Sequence, residues 1–319
     1  MPAEEPAASP RPDPSLPGGI PLFFLGLGIL AAIRVLLGYV SFPLAWLPPI
    51  NLSLAVLFLA VPIVALFFAG NANWTWKTAA IFVGGGIAVQ IGIILLGESV
   101  PMPGPVAGIL TAIAQAALGC WCAGLGALLA TLIKEKNILL PIAIFLAAYD
   151  FFLVLTPWGF TQKLLKVAQP VFTKVAAQIP VVSAAPTHGV ARAGAYVGMA
   201  DLVFLAMFFI ALFRFRMRTR QTLYAVLPAL IAYLLIVLLL GRYEVAGFSL
   251  GQLPALVPIG LAVLIVNWRE FDLKKDEKLA TAVLALLAVG FLVFAATRPK
   301  PQAEPEQRAP ASAPRTPAK

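Results

Sequence analysis

Long apolar runs, separated by short breaks that carry charge, proline or glycine, set the pattern of this chain. A helix needs about 20 residues to cross roughly 30 Å of hydrocarbon at about 1.5 Å per residue. Runs of that kind fall at 20–40, 50–70, 78–97, 106–133, 138–156, 194–213, 222–241, 253–267 and 279–297, the eighth being short. The pattern predicts an all-α, polytopic transmembrane bundle of about nine spans. The first run follows an acidic, proline-rich leader and lacks a small-residue cleavage site, so it reads as a retained helix rather than a signal peptide. Residues 1–19 and 298–319 alternate Pro, Ala and charge; with little apolar surface to bury, both are expected to be disordered tails. Between them lie a block of N-terminal transmembrane helices at 20–137 and a second transmembrane region at 138–297.

Composition agrees with a membrane setting. With 61% hydrophobic and 12% charged residues and a mean hydropathy of +0.92, the chain has too few polar groups to face water as one soluble globule. The net charge of +9 sits mainly beside the apolar runs, which points to topology and contact with the lipid bilayer and not to nucleic acid. Lys and Arg divide almost evenly between the two faces. The cluster at 214–220 lies in a short loop, where the positive-inside rule is strongest, and it favours a cytoplasmic N-terminus. Arg34 is the one basic residue within a run; it is expected to snorkel to the nearer interface, the alternative being an ion pair with an aspartate.

Acidic residues narrow the search for chemistry. Most lie in the tails or between runs, but Asp150 and Asp201 stand inside apolar stretches, where a carboxylate costs several kcal/mol (about 2.5 or more) unless it is used. Other chemistries lack their residues. A zinc site needs clustered ligands, and the single His188 lies in a loop with no HExxH around it. Cys120 and Cys122 flank Trp121 and read as small packing residues. Ser249 has no partnered base within the membrane. Gly84, Gly85 and Gly86 fall mid-run and read as a close-packing surface, not a phosphate loop. No cofactor and no metal is expected.

Depth brings the two aspartates together. Asp150 precedes the end of its run, and Asp201 follows the start of the next, by six to seven residues, so each sits about 10 Å in from the same face. Two carboxylates at one level in a low dielectric do not both ionise easily, and a proton is shared between them. One can then take a proton from water while the other donates to a carbonyl oxygen, the arrangement of an aspartic protease. The plainer alternative is that either carboxylate caps or pairs within the bundle.

Local sequence adds a more specific signal. Asp150 follows Tyr149 in Tyr-Asp-Phe-Phe; Asp201 ends Gly198-Met199-Ala200-Asp201; Pro254-Ala255-Leu256 follows after one more run. This order of YD, GxGD and PAL resembles the presenilin and signal peptide peptidase family of intramembrane aspartyl proteases. The likeness is strongest over 138–266, and the region between the aspartates, with a basic amphipathic stretch at 161–178, then Ile179-Pro180-Val181-Val182 and Pro186, is similar to prokaryotic members. Leu227-Pro228-Ala229-Leu230 repeats the tetrapeptide at 253–256, and either could be a proline near a helix start; 254–256 opens the second run after Asp201, as the resemblance requires. Three features depart from the family pattern. Ala200 stands where the family has glycine, Val257 separates Leu256 from Pro258, and the YD and PAL runs are fifth and eighth here, against sixth and ninth in presenilins.

The resemblance implies a presenilin-like fold, an aspartic endopeptidase with Asp150 and Asp201 as catalytic residues, and single transmembrane helices of proteins or peptides as substrates. It also implies the prokaryotic cell membrane as its place. Because helical amides are already hydrogen-bonded, a substrate must unwind and find new backbone partners; the resemblance places a strand-like edge near Ile179–Val182 and Pro254–Leu256, where β-augmentation could supply them. Ala200 also motivates a catalytically silent relative acting as a membrane chaperone or scaffold. A proton-coupled transporter using the two aspartates is the third alternative, and it predicts inverted repeats.

Overall fold

Because hydrocarbon offers backbone groups no partners, apolar runs of this length bond within themselves as helices. The computed structural model describes residues 19–100, 102–155, 173–185, 189–241, 244–245, 248–249 and 254–297. Among them the chain forms α1 (Gly19–Leu37), α2 (Leu47–Gly70), α3 (Trp76–Ser99), α4 (Gly104–Leu132), α5 (Leu139–Leu155), α6 (Met199–Arg214), α7 (Thr219–Leu240), α8 (Leu256–Asn267) and α9 (Lys275–Thr297). Six segments are long and apolar enough to cross a membrane: α1 to α5 and α7, with a short 3-10 turn joined to α2 and to α5. The protein is an all-α, multi-pass membrane bundle. The two tails, the stretch 156–172, Pro186 and His188 lie outside the described residues.

Helix ends follow local chemistry. Prolines near the start of α2 and α4 fall where the missing N–H costs nothing, and Thr75 with Thr78 forms a reciprocal capping box at α3. Small residues then let helices approach. A side chain at Gly86 would run into Ala117 and Trp121 on α4, one at Gly126 into Ala206 on α6, and one at Gly260 into Ala143 on α5. Of the three consecutive glycines on α3, Gly86 alone makes such a contact; Gly84 and Gly85 face open space. Cys122 is buried and Cys120 half-buried, both as free thiols.

Nearly all of α6 from Leu202 to Leu212 is buried, packed on α4 and α2. The main partners of α5 are instead α8 and α9. The helices bearing Asp150 and Asp201 therefore belong to two packed groups that face each other. One end of the bundle is tied by polar contacts. Arg214 donates to the carbonyls of Ala130 (2.9 Å) and Ile133 (3.1 Å) at the end of α4. Buried Asn267 holds Arg218 and Thr222, and Arg218 meets Glu270.

The stretch 192–197 departs from the expected sixth span. It is strand β2 (Arg192–Val197), paired antiparallel with β1 (Ala177–Val181), with an irregularity at Ile179/Pro180. A second small pair, β3 (Glu244–Val245) and β4 (Phe248–Ser249), precedes α8. Helix α6 starts only at Met199, directly after Gly198, and its sixteen residues leave it outside the six membrane-length segments. Gly189 pins the connection of the β1–β2 hairpin: its N–H donates to Gly38 at 3.0 Å, its φ is +98°, and a Cβ on Gly108 would collide with its carbonyl. Only residues without side chains fit that crossing between the ends of α1 and α4.

Candidate active site

Each candidate carboxylate is held at the N-terminus of a helix, where backbone N–H groups lack intrahelical partners and the dipole is positive. Asp201 lies in the first turn of α6, and its carboxylate accepts the backbone N–H of Gly198, the residue that precedes the helix. Asp150, well along α5, reaches across to α8: its Oδ2 accepts the N–H of Leu256 at 2.8 Å. That amide is the first of α8 and has no acceptor within its own helix. The carboxylates are close enough for the charge of Asp150 to act on Asp201, and the Tyr233 hydroxyl on α7 lies within reach of both charges.

The depths agree, though not for the reason the apolar runs suggested. Asp201 is two residues into its helix, not seven, because 194–197 is strand. Counted from the tied end, Asp150 is eleven residues on from Leu139, Leu256 eleven before Asn267 and Asp201 thirteen before Arg214, or about 16–20 Å at 1.5 Å per residue. All three lie at a similar distance from that end of the bundle.

The remaining motif residues divide into those at the carboxylates and those outside. Gly198 is in contact, since a Cβ there would come 3.0 Å from Asp201 Oδ2. Pro254 and Leu256 are buried beside Asp150, with half-buried Ala255 between them. Tyr149 is 47% exposed and stacks on Phe145 along α5, 5.7 Å between ring centres. Met199 and Ala200 are exposed. Ala200 is therefore not a buried packing position. Pro228 of the duplicate tetrapeptide lies inside α7, well away from a helix start, whereas 254–256 opens α8.

Arg34 does not snorkel, nor does it pair with an aspartate. It is 4% exposed, donates through Nη2 to the carbonyl of Gln178 on β1, and lies 5.4 Å from the centre of the Phe58 ring. It belongs to a wider set of polar side chains, most of them uncharged, on the first four helices. Asn51 on α2 clamps Val182, accepting its N–H at 2.8 Å and donating to its carbonyl at 3.3 Å. Gln115 on α4 accepts the N–H of Gln178 at 2.9 Å and donates to Ala176 at 3.3 Å. Gln90 on α3 donates to Lys174 at 3.0 Å while accepting the Trp121 indole N–H at 2.6 Å. Each of the first four helices thus spends a polar side chain on one stretch of backbone.

This is what non-helical backbone at membrane depth requires. It also moves the expected strand edge. Helix side chains occupy the backbone groups of Gln178 in β1 and of Val182 just beyond it, and Pro180 between them has no N–H to offer. Uncharged polar residues inside apolar runs were the signal available in the sequence; Asn51, Gln90 and Gln115 carry it as plainly as Arg34.

Comparison of the chain with family models, with curated proteins and with solved structures returned no match.

Proposed function

We propose that the protein is an intramembrane aspartic endopeptidase that hydrolyses peptide bonds within single transmembrane helices, with Asp150 and Asp201 as the catalytic pair. One observation carries the reading: two carboxylates from separately packed helix groups lie within electrostatic reach of each other, at a similar distance from one end of the bundle, each given a backbone N–H at a helix start. A structural carboxylate needs one partner to be tolerated; a facing pair is the arrangement for sharing a proton.

The reaction follows from that sharing. The ionised carboxylate takes a proton from water as the water oxygen bonds to the scissile carbonyl carbon, and the protonated one donates to the carbonyl oxygen. The tetrahedral species collapses, the C–N bond breaks, the departing nitrogen takes the proton the first carboxylate received, and the hydroxyl formed from the carbonyl oxygen returns its proton to the second carboxylate. An unwound substrate needs backbone partners. With the backbone groups of Gln178 and Val182 already occupied, a strand added to this sheet adds at β2, two residues from the helix of Asp201. If the 214–220 loop is cytoplasmic, the hairpin opens to the opposite face and substrates with a cytoplasmic N-terminus are favoured.

Purified protein incubated with generic transmembrane peptides, with the cuts mapped by mass spectrometry, tests the reading. Cleavage is expected within the apolar segment and is expected to vanish in Asp150→Asn and in Asp201→Asn, both still folded. Turnover retained in either variant refutes the aspartyl mechanism. Stable peptide binding without any cleavage by the unaltered protein supports the scaffold reading, and proton-coupled solute uptake supports the transporter.

A further inference from the structure

The turn at Pro254–Ala255–Leu256 is held from two sides. Asp150 Oδ2 takes the Leu256 N–H at 2.8 Å, and Tyr233 on α7 donates its hydroxyl to the Pro254 carbonyl, also at 2.8 Å. Only Ala255 separates the two anchored residues, so the bonds together set both where α8 begins and how its first turn is rotated. Helix α8 has no hold of its own on Pro254: the carbonyl that receives the first helical bond is that of Ala255, from Ile259. Along α7 between Ala225 and Leu240, Tyr233 is the only residue with a polar side chain. A hydroxyl at this depth is expected to find a partner, and the one it has lies in the turn that serves the active site.

We propose that Tyr233 is a positioning residue of the site: its hydroxyl holds Pro254 so that the Leu256 N–H is aimed at Asp150 Oδ2. The effect on rate rests on the protease reading, whereas the geometric effect does not. Removing the hydroxyl while keeping the ring leaves the packing of α7 intact and frees the turn to rotate. A displacement of a few tenths of an ångström at a catalytic group lowers turnover by about tenfold, as a shift of 1 Å costs about a hundredfold. Because Tyr233 bonds the protein and not the substrate, KM is expected to change by less than about twofold, as for an interaction that acts only in the transition state.

The test is Tyr233→Phe in the full chain, reconstituted in lipid, with two readouts. The first is the Leu256 amide proton shift in leucine-labelled protein by solid-state NMR, assigned by the signal lost in Leu256→Met. The second is kcat and KM on a transmembrane peptide. In Tyr233→Phe the amide is expected to move towards its position in Asp150→Ala, with kcat about tenfold lower and KM nearly unchanged. An unmoved amide overturns the proposal whatever the rate does, and so does a moved amide with unchanged kcat. If the amide moves but the unaltered protein cuts no peptide, the positioning role stands and the protease reading falls.

Discussion

Asn51 offers the sharpest test of how the hairpin is kept inside the bundle. Its side-chain amide satisfies both backbone groups of Val182, at 2.8 Å and 3.3 Å, and Val182 is 5% exposed. Asn51→Leu keeps the branching and the number of heavy atoms and removes both bonds. If the strand stays dry, a buried N–H and a buried carbonyl lose their partner at about 1–3 kcal/mol each, for a total of about 2–6 kcal/mol. If water or another side chain reaches Val182, the loss falls to the average for a side-chain bond between membrane helices, about 0.6 kcal/mol each, or about 1 kcal/mol in all. Reversible unfolding in mixed detergent–SDS micelles measures the difference. Ser53→Ala is the control: that hydroxyl bonds its own helix at Pro49, 2.9 Å away and exposed, and its loss is expected to stay within about 0.5 kcal/mol. Amide exchange over 177–182 should rise in Asn51→Leu. If the variant costs no more than Ser53→Ala and exchange at Val182 is unchanged, the account of β1 as held by helix side chains is wrong.

Gly198→Ala places a methyl group 3.0 Å from Asp201 Oδ2 on a backbone (φ −61°) that alanine adopts freely. The fold is expected to persist while the carboxylate shifts and kcat drops about tenfold; unaltered kinetics would show that this oxygen is not held against Gly198. Because Ala200 is exposed, Ala200→Gly is expected to change stability by no more than the helix-propensity cost of about 1 kcal/mol and to raise turnover by easing substrate approach. A clear fall in turnover on the same peptide contradicts that account. Membrane orientation is tested by Lys174→Cys in protein whose own two cysteines are replaced: modification is expected from the face opposite the 214–220 arginines, and labelling only from the arginine side reverses the topology and the favoured substrate direction.

Six of the nine expected spans are found as membrane-length segments, legible because hydrocarbon imposes a length and an apolar character on whatever crosses it; the runs at 20–40 through 138–156 match α1 to α5 to within a few residues, and 222–241 matches α7. The two aspartates were legible too, since their rarity in such runs marks them without any knowledge of neighbours. The hairpin was not. Ala191 to Val197 is small and apolar, a composition that suits the start of a helix as well as a strand, and its pairing depends on a strand some fifteen residues away that itself depends on side chains from four helices. The tetrapeptides at 227–230 and 253–256 are identical in composition and order, and no local property separates them. Only the folded chain decides that one lies within α7, whereas 254–256 of the other opens α8 with an N–H that Asp150 accepts. Solvent acts on each residue where it stands, so the sequence by itself determined which segments are apolar enough to leave water; a hydrogen bond needs a partner brought from elsewhere in the chain, so only the tertiary structure determined which polar groups meet among them.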